Sequence, residues 1–306
     1  MLKTETAAPV SHRPFARFAW GVLAYNLAVI LWGAFVRISG SGAGCGNHWP
    51  LCGENLSPTF DTLAKAIEFL HRATSGIDLL LVGGLLVWAL LAFPRGHMAR
   101  LGATLSTVFL LIEAVLGAFL VLLEHVAKDQ SAARGSWEAA HLMNTLTLVA
   151  VLALTAWWGG GAPAVRLRGR ATWIAGATLL SVMLLGATGV IAALADTLFP
   201  APSLAAGLAR DFDPAANIFL RLRGLHPVLA AGVGAWIFVY AAGALRLPAA
   251  HRAARAVIAL AAAQLALGLL NLLLLAPVWL QMLHLLAADG LWIALVLLCA
   301  TILAEF

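Results

Sequence analysis

Residues 101–123 read Leu-Gly-Ala-Thr-Leu-Ser-Thr-Val-Phe-Leu-Leu-Ile-Glu-Ala-Val-Leu-Gly-Ala-Phe-Leu-Val-Leu-Leu, with Glu113 the sole charge in the stretch. A helix needs about 20 consecutive apolar residues to cross a bilayer, so this segment reads as a membrane span. Its acid sits in mid-span, where a carboxylic side chain costs about 2.5–3.5 kcal/mol on insertion scales. Working outward, comparable runs lie at roughly 15–38, 67–92, 138–158, 171–195, 222–243, 254–275 and 278–304, and the central one extends over about 101–124. The 306 residues are 62% hydrophobic and 11% charged, where a soluble domain carries about 25% charged residues. Mean hydropathy is +0.93. Lipid must therefore be the solvent for most of the surface, and the fold class is an all-α integral membrane protein of eight transmembrane helices.

The net charge of +5 does not point to nucleic acid, because the cations lie in short clusters between apolar runs. Lys3, Arg13, Arg17, Arg95, Arg100, Arg166, Arg168, Arg170, Arg246, Arg252 and Arg255 fall on one side. The positive-inside rule makes that side cytoplasmic, with both termini there. Met1 to Pro14 has no signal-peptide cleavage pattern, so the first span is expected to be retained. On the opposite side cations mix with Asp129, Asp196, Asp211 and Asp213, and the two longest loops, about 39–66 and 196–221, fall there. The expected localisation is a cell membrane, multi-pass.

The two halves align on their histidines. His71 and His226 open the second and sixth spans, and His141 and His284 open the fourth and eighth. Glu113-Ala-Val-Leu-Gly117 then matches Gln264-Leu-Ala-Leu-Gly268, and the interval from the first histidine is 42 residues in one half and 38 in the other. Four spans return the chain to its starting side. The copies are thus expected to be parallel four-helix bundles related by a pseudo-two-fold along the membrane normal. This divides the chain into a cytoplasmic segment 1–14, an N-terminal half 15–165 and a C-terminal half 166–306.

Of the nine histidines, His12, His97 and His251 read as solvated cytoplasmic residues and His125 as interfacial. His48 falls in the first outer loop, and the four membrane histidines, His71, His141, His226 and His284, lie about a turn inside the outer surface, each on an inward-running helix. Zinc needs a third or fourth ligand that neither half offers. A di-iron site is the stronger competitor, since Glu68-x-x-His71 and Glu138-x-x-His141 repeat the required motif. The first span, however, has no acid. In the second half Arg223 and Gln281 replace Glu68 and Glu138 while both histidines persist. The halves share paired imidazole without carboxylate, which suits axial ligation of heme iron.

What the first half adds should mark the chemistry. Glu68 lies one turn before His71 on the same helix face and is placed for proton transfer; Glu138 reads as a helix-entry acid. Cys45 and Cys52 stand in an outer loop eased by Pro50 and glycines, and outside the membrane such a pair persists as a disulfide, structural or redox-active. Cys299 reads as a small core hydrophobe. Arg37, Arg72, Arg221 and Arg223 near outer helix ends suit either heme propionates or the interface.

Gly33-Ala-Phe-Val-Arg37-Ile-Ser-Gly-Ser-Gly-Ala-Gly-Cys45, then Trp49-Pro50-Leu51-Cys52, then Glu68-Phe-Leu-His71-Arg72 resemble the signature of the heme A synthase family. The resemblance extends over nearly the whole chain. It implies an oxidoreductase that converts the C8 methyl of heme O to a formyl group, giving heme A for cytochrome oxidase. It implies that His71 and His141 receive the heme substrate with Glu68 as acid or base, and that His226 and His284 hold a heme b that relays electrons. It also implies the Cys45–Cys52 disulfide. Some relatives carry a second cysteine pair in the matching loop of the second half; residues 196–221 have none. Methyl-to-aldehyde oxidation removes four electrons, most simply by successive hydroxylations. Candidate partners are heme O, the heme O synthase (a farnesyltransferase), a membrane electron donor such as quinol, and further copies of the chain in a homo-oligomer. The competing readings are a non-catalytic di-heme cytochrome b and a heme transporter or chaperone.

Overall fold

The computed structural model describes residues 13–53 and 59–305. Lys3, His12 and the start of the 1–14 segment lie outside the described residues. The elements are α1 (Arg13–Ile38), α2 (Leu63–Ala92), α3 (Met98–Leu122), α4 (Ala132–Gly159), α5 (Gly169–Leu198), α6 (Leu204–Asp211), α7 (Ile218–Arg223), α8 (Leu225–Ala244), α9 (His251–Leu273) and α10 (Val278–Glu305), with one 3-10 turn at Pro248–Ala250. No strand occurs among the described residues. Eight helical segments are long and apolar enough to cross a membrane, with α7 and α8 together forming the sixth. The chain is a multi-pass membrane protein.

Helix ends depart from the apolar runs where polar caps extend them. Thr62 accepts a hydrogen bond from the Lys65 amide at 3.2 Å, so α2 starts at Leu63 rather than near 67. Ser131 caps α4 through the Arg134 amide at 3.2 Å, which moves that start from 138 back to Ala132. Both caps satisfy a first-turn N–H that lacks an intrahelical acceptor. The sixth span breaks at Gly224. Pro227 has no N–H to give the Arg223 carbonyl one turn earlier, so the helix cannot run through. The 196–221 loop contains α6, and Arg223 ties that helix down by bonds to Asp211 (2.6 Å) and Asp196 (2.9 Å).

The turns after α3 and α9 share an unusual backbone. Glu124 and Ala127 in one, and Leu275 and Ala276 in the other, hold positive φ of 51–59°, a region that non-glycine residues enter only when other contacts fix them. In each turn a side chain from the next helix pins the carbonyl of the strained alanine. Arg134 donates to Ala127 O at 2.7 Å, and Gln281 donates to Ala276 O at 2.7 Å. Arg134 is 1% exposed and also bonds Glu138 and Asp129 O, at 2.9 Å each. Burial alone would raise the Asp129 carboxyl, but the Ser131 amide, the His125 ring and the Ser131 hydroxyl together hold it below the ordinary carboxylate range. A lowered folded-state value contributes stability above the unfolded value, about 3.9, and loses it as the pH falls through the folded one. Amide-exchange protection factors at residues 131–135 should therefore be flat from about pH 8 to 5 and fall below about pH 4; in Asp129→Asn that acid-side fall should vanish.

Packing places α4 and α10 at the centre. Half of each span is buried in protein, against 28% or less for the other six. The two meet directly, with the Trp292 indole donating to Leu146 O at 2.7 Å. Around α4, helices α1, α2 and α3 close one apolar core that includes Phe15, Val82, Leu85, Leu148 and Leu152. Around α10, helices α5, α8 and α9 close a second, with Ile237, Ala254, Val257 and Leu295. In lipid there is little hydrophobic force between helices, so close approach of small residues carries the association. Gly159 accepts the Phe15 ring edge, and Gly135 lies against Phe219 and Ile191. Cys299 is buried within the second core as a free thiol.

Candidate functional site

The four span histidines sit near one end of the bundle, two in each group of four spans, and each is met by a glycine of the preceding span. A Cβ on Gly33 of α1 would lie 2.9 Å from His71 Cε1; on Gly189 of α5, 3.0 Å from His226 Cε1. On Gly268 of α9 it would lie 3.2 Å from His284 Cε1, and on Gly117 of α3, 3.7 Å from His141 Cε1. The absent side chains are what let the rings tuck between helices. His141 lies near enough to His71 to act on it electrostatically, and His226 near enough to His284.

The polar surroundings of the rings differ. Nδ1 of His71, His141 and His284 is buried without a hydrogen-bond partner among the described residues. His226 Nδ1 meets the Thr188 hydroxyl at 3.1 Å, and His284 Nε2 meets the Gln264 amide at 3.1 Å. His141 Nδ1 lies 3.4 Å from Glu113 Oε1, near enough for attraction but too poorly aligned for a hydrogen bond. A buried imidazole nitrogen left without a partner is costly in a finished structure, a cost that a bound group engaging the rings would remove.

Glu68 is one turn before His71 and is 3% exposed. Its Oε2 accepts from the Cys45 amide at 2.8 Å, and its Oε1 from Arg72 at 2.5 Å. Arg72 in turn donates to His48 O at 2.6 Å and Leu51 O at 2.7 Å. The loop that holds Cys45 and Cys52, bonded as a disulfide, is thereby clasped onto the first histidine site. Gly44 makes this possible, because a Cβ there would fall 2.5 Å from the Ala64 carbonyl carbon.

The other residues singled out in the sequence are placed as follows. Arg37 reaches across to α5, donating to Ala193 O at 3.0 Å and to Thr197 at 3.1 Å. Arg223 is engaged by Asp196 and Asp211. Arg221 is exposed and makes no side-chain bond among the described residues. Glu138 is held by Arg134 rather than directed at His141. Among the described residues no three His, Cys, Asp or Glu side chains converge as a metal site. A cavity of about 310 Å³ between α4, α5 and α7 has Thr188 on its wall but lies beside the histidine pairs rather than within either.

The sequence reading did not assign roles to the four glycines, to Thr188 or to Gln264. Gly117, Gly268 and Gln264 were visible as parts of the repeated motif; a glycine at the matching height of every odd-numbered span is the signal that points to the others.

The sequence model of the COX15-CtaA family, described as cytochrome oxidase assembly protein, matches residues 16–296. The chain belongs to this family. Curated relatives include a Thermus thermophilus protein named protoheme IX farnesyltransferase, 45% identical over 271 residues that cover 86% of this chain and 44% of that protein. Proteins named heme A synthase include one from Exiguobacterium sp., 35% identical over 36% of this chain and 37% of its own length. Another, from Bacillus licheniformis, is 40% identical over 31% of this chain and 32% of its own. The matches span less than half the length of these curated relatives. Family membership and the heme A synthase names agree with the resemblance carried by the loop and Glu68-x-x-His71-Arg72.

Proposed function

We propose that the chain is a heme A synthase, oxidising the C8 methyl of heme O to a formyl group. The observation that carries this reading is the pairing of half-buried imidazoles, two in each group of four spans, three of them with a buried Nδ1 left without a partner and each with a glycine opposite the ring. The donor set fits a porphyrin: neutral nitrogen ligands on facing helices, apolar walls, and arginines at the same end for carboxylates. The matching turns after α3 and α9 and the equivalent positions of α4 and α10 support two parallel four-helix repeats, 15–165 and 166–306, about a pseudo-two-fold along the membrane normal.

In this reading His71 and His141 hold the substrate heme O, and His226 and His284 hold a resident heme b. The resident heme supplies one-electron relay when bound. The protein's own residues do the rest. Glu68, clasped between Arg72 and the Cys45 amide, presents a fixed carboxylate one turn from His71 and would take up and release protons at the oxygen placed on the methyl carbon as its oxidation proceeds. The disulfide loop covers that site and limits water. Arg37 and Arg221 are the cations best placed for propionates, with Arg72 and Arg223 committed to local carboxylates. The cation-rich loops put both termini in the cytoplasm and the histidine sites toward the outer face of the cell membrane. With dioxygen as the oxidant, each hydroxylation would place one oxygen atom on the methyl carbon and reduce the other to water, and a quinol would supply the two electrons and two protons for that reduction. The Thermus relative's name supports a heme farnesyltransferase as the source of heme O.

Purified protein should show a Soret band and protoheme in its pyridine hemochrome. Incubated in membranes with heme O, it should yield a heme whose mass reports the methyl-to-formyl change. Heme recovered with unchanged mass would favour a transporter or an electron-transfer cytochrome, and a protein without heme would end the reading.

A further inference from the structure

The halves differ most at the ring partner of the second histidine. On α9, Gln264 offers its amide nitrogen to His284 Nε2 at 3.1 Å and leaves Nδ1 without a partner among the described residues. On α3 the corresponding position is Glu113, whose Oε1 faces His141 Nδ1 at 3.4 Å. Glu113 is itself held in place: Asn144 donates to Oε2 at 2.5 Å and the Thr145 hydroxyl donates to Oε1. Asn144 also donates to Phe109 O at 2.9 Å, which fixes the carboxamide with its NH2 toward the acid. Asn144 donates to the acid, and Thr145 divides its single hydroxyl proton between Glu113 Oε1 and His141 O at 2.9 Å, so the site suits an acceptor, which a carboxylate is and a carboxamide is only in part. Asn144 and Thr145 lie one turn beyond His141 on the same helix, so ring, acid and donors form one rigid group.

We infer that Glu113 is a positioning residue for His141: its carboxylate lies 3.4 Å from Nδ1 without making a hydrogen bond, and a small turn of the ring as Nε2 engages iron would let it accept the Nδ1–H and make the first-half histidine a stronger donor to iron than its second-half counterpart. This deepens the proposed function and rests on heme being ligated by these histidines. A carboxylate behind a ligating imidazole fixes its tautomer and raises its basicity, and second-sphere hydrogen bonding of this kind is one of the protein's levers on heme potential. The consequence is a division of labour. The first-half iron is biased toward its oxidised form, as befits the centre where substrate is oxidised. The second-half histidine has only a neutral amide at its ring and no carboxylate, so the iron it would hold would stay easier to reduce and suit relay.

The test is a redox titration of the full-length protein loaded with heme in both halves, following the α band and the low-spin ferric EPR signals. Glu113→Gln should raise the lower midpoint by the equivalent of a tenfold change in the oxidised-to-reduced ratio, about 59 mV for one electron, with unchanged heme content. Glu113→Asp should keep most of the parent value. Gln264→Glu should move the other component in the opposite sense, which keeps the test alive if the first variant misfolds. Two components that stay in place in both variants while two hemes remain bound would overturn the inference alone. A parent protein that binds no heme would overturn it together with the reading beneath it.

Discussion

The Glu68→Gln variant will bind heme in both halves and convert almost no heme O. General acid–base groups contribute about 10²–10⁴-fold to rate, so conversion should fall by at least about 10²-fold while the Soret spectrum matches the parent. Glutamine is the informative replacement because of what the structure asks of this side chain. It has the same length and keeps one oxygen, so either the Cys45 amide (2.8 Å) or Arg72 (2.5 Å) retains its acceptor. It cannot take up and release a proton. A loss of rate with intact spectra would then belong to proton transfer rather than to the shape of the site.

A purely anchoring role for Glu68 makes a different forecast. The loop is held from both sides, by Glu68 through the Cys45 amide and by Arg72 through His48 O and Leu51 O. If anchoring were all, Arg72→Gln would cost as much conversion as Glu68→Gln. The proposed role has Arg72→Gln retaining at least tenfold more activity, with a higher KM from a looser loop. Conversion in Glu68→Gln within threefold of the parent would remove Glu68 from the chemistry.

How much of this was legible in the sequence depends on the range of the interaction. Span number follows from composition, because twenty apolar residues in a row have few other fates, and all eight appear. Span ends were less legible: Thr62 and Ser131 extend α2 and α4 into polar sequence through local caps, and Pro227 splits the sixth span by withholding one N–H. The four histidines announced themselves by recurrence. What touches their rings did not, because the contact between Gly33 and His71, or Gln264 and His284, depends on how neighbouring helices rotate about their axes. Arg223 shows the same limit. Beside a histidine site it read as a propionate candidate, and only the fold of the 196–221 loop reveals Asp211 and Asp196 already bound to it. The clasp of the disulfide loop on Glu68 was equally hidden, since a backbone amide donor leaves no trace in residue identity.

Alanine at the four ring-facing glycines should disturb the histidine sites in a graded order, set by how closely each new methyl would press its imidazole. Real Cβ atoms essentially never sit under 3.0 Å from another heavy atom, and Gly33→Ala would place one 2.9 Å from His71 Cε1 and 3.1 Å from Nε2. His71 must then swing or α1 must retreat. Gly189→Ala at 3.0 Å from His226 is nearly as tight, Gly268→Ala at 3.2 Å from His284 asks for a few tenths of an ångström, and Gly117→Ala at 3.7 Å from His141 is ordinary contact. Overpacking of this kind costs about 1–3 kcal/mol, and a displaced ligand loses about 10–100-fold in metal affinity when its support is disturbed. Heme retained after detergent washing should therefore fall in the order Gly33 and Gly189 most, Gly268 less, Gly117 unchanged. The first and last of the series act on the same proposed substrate site from opposite helices, which isolates ring position from any general effect of alanine in a span. Equal loss across all four would mean the glycines serve helix packing alone. Loss confined to Gly33 and Gly189 would show that the rings must lie where those missing side chains leave room, which is the physical condition for two facing imidazoles to share one macrocycle.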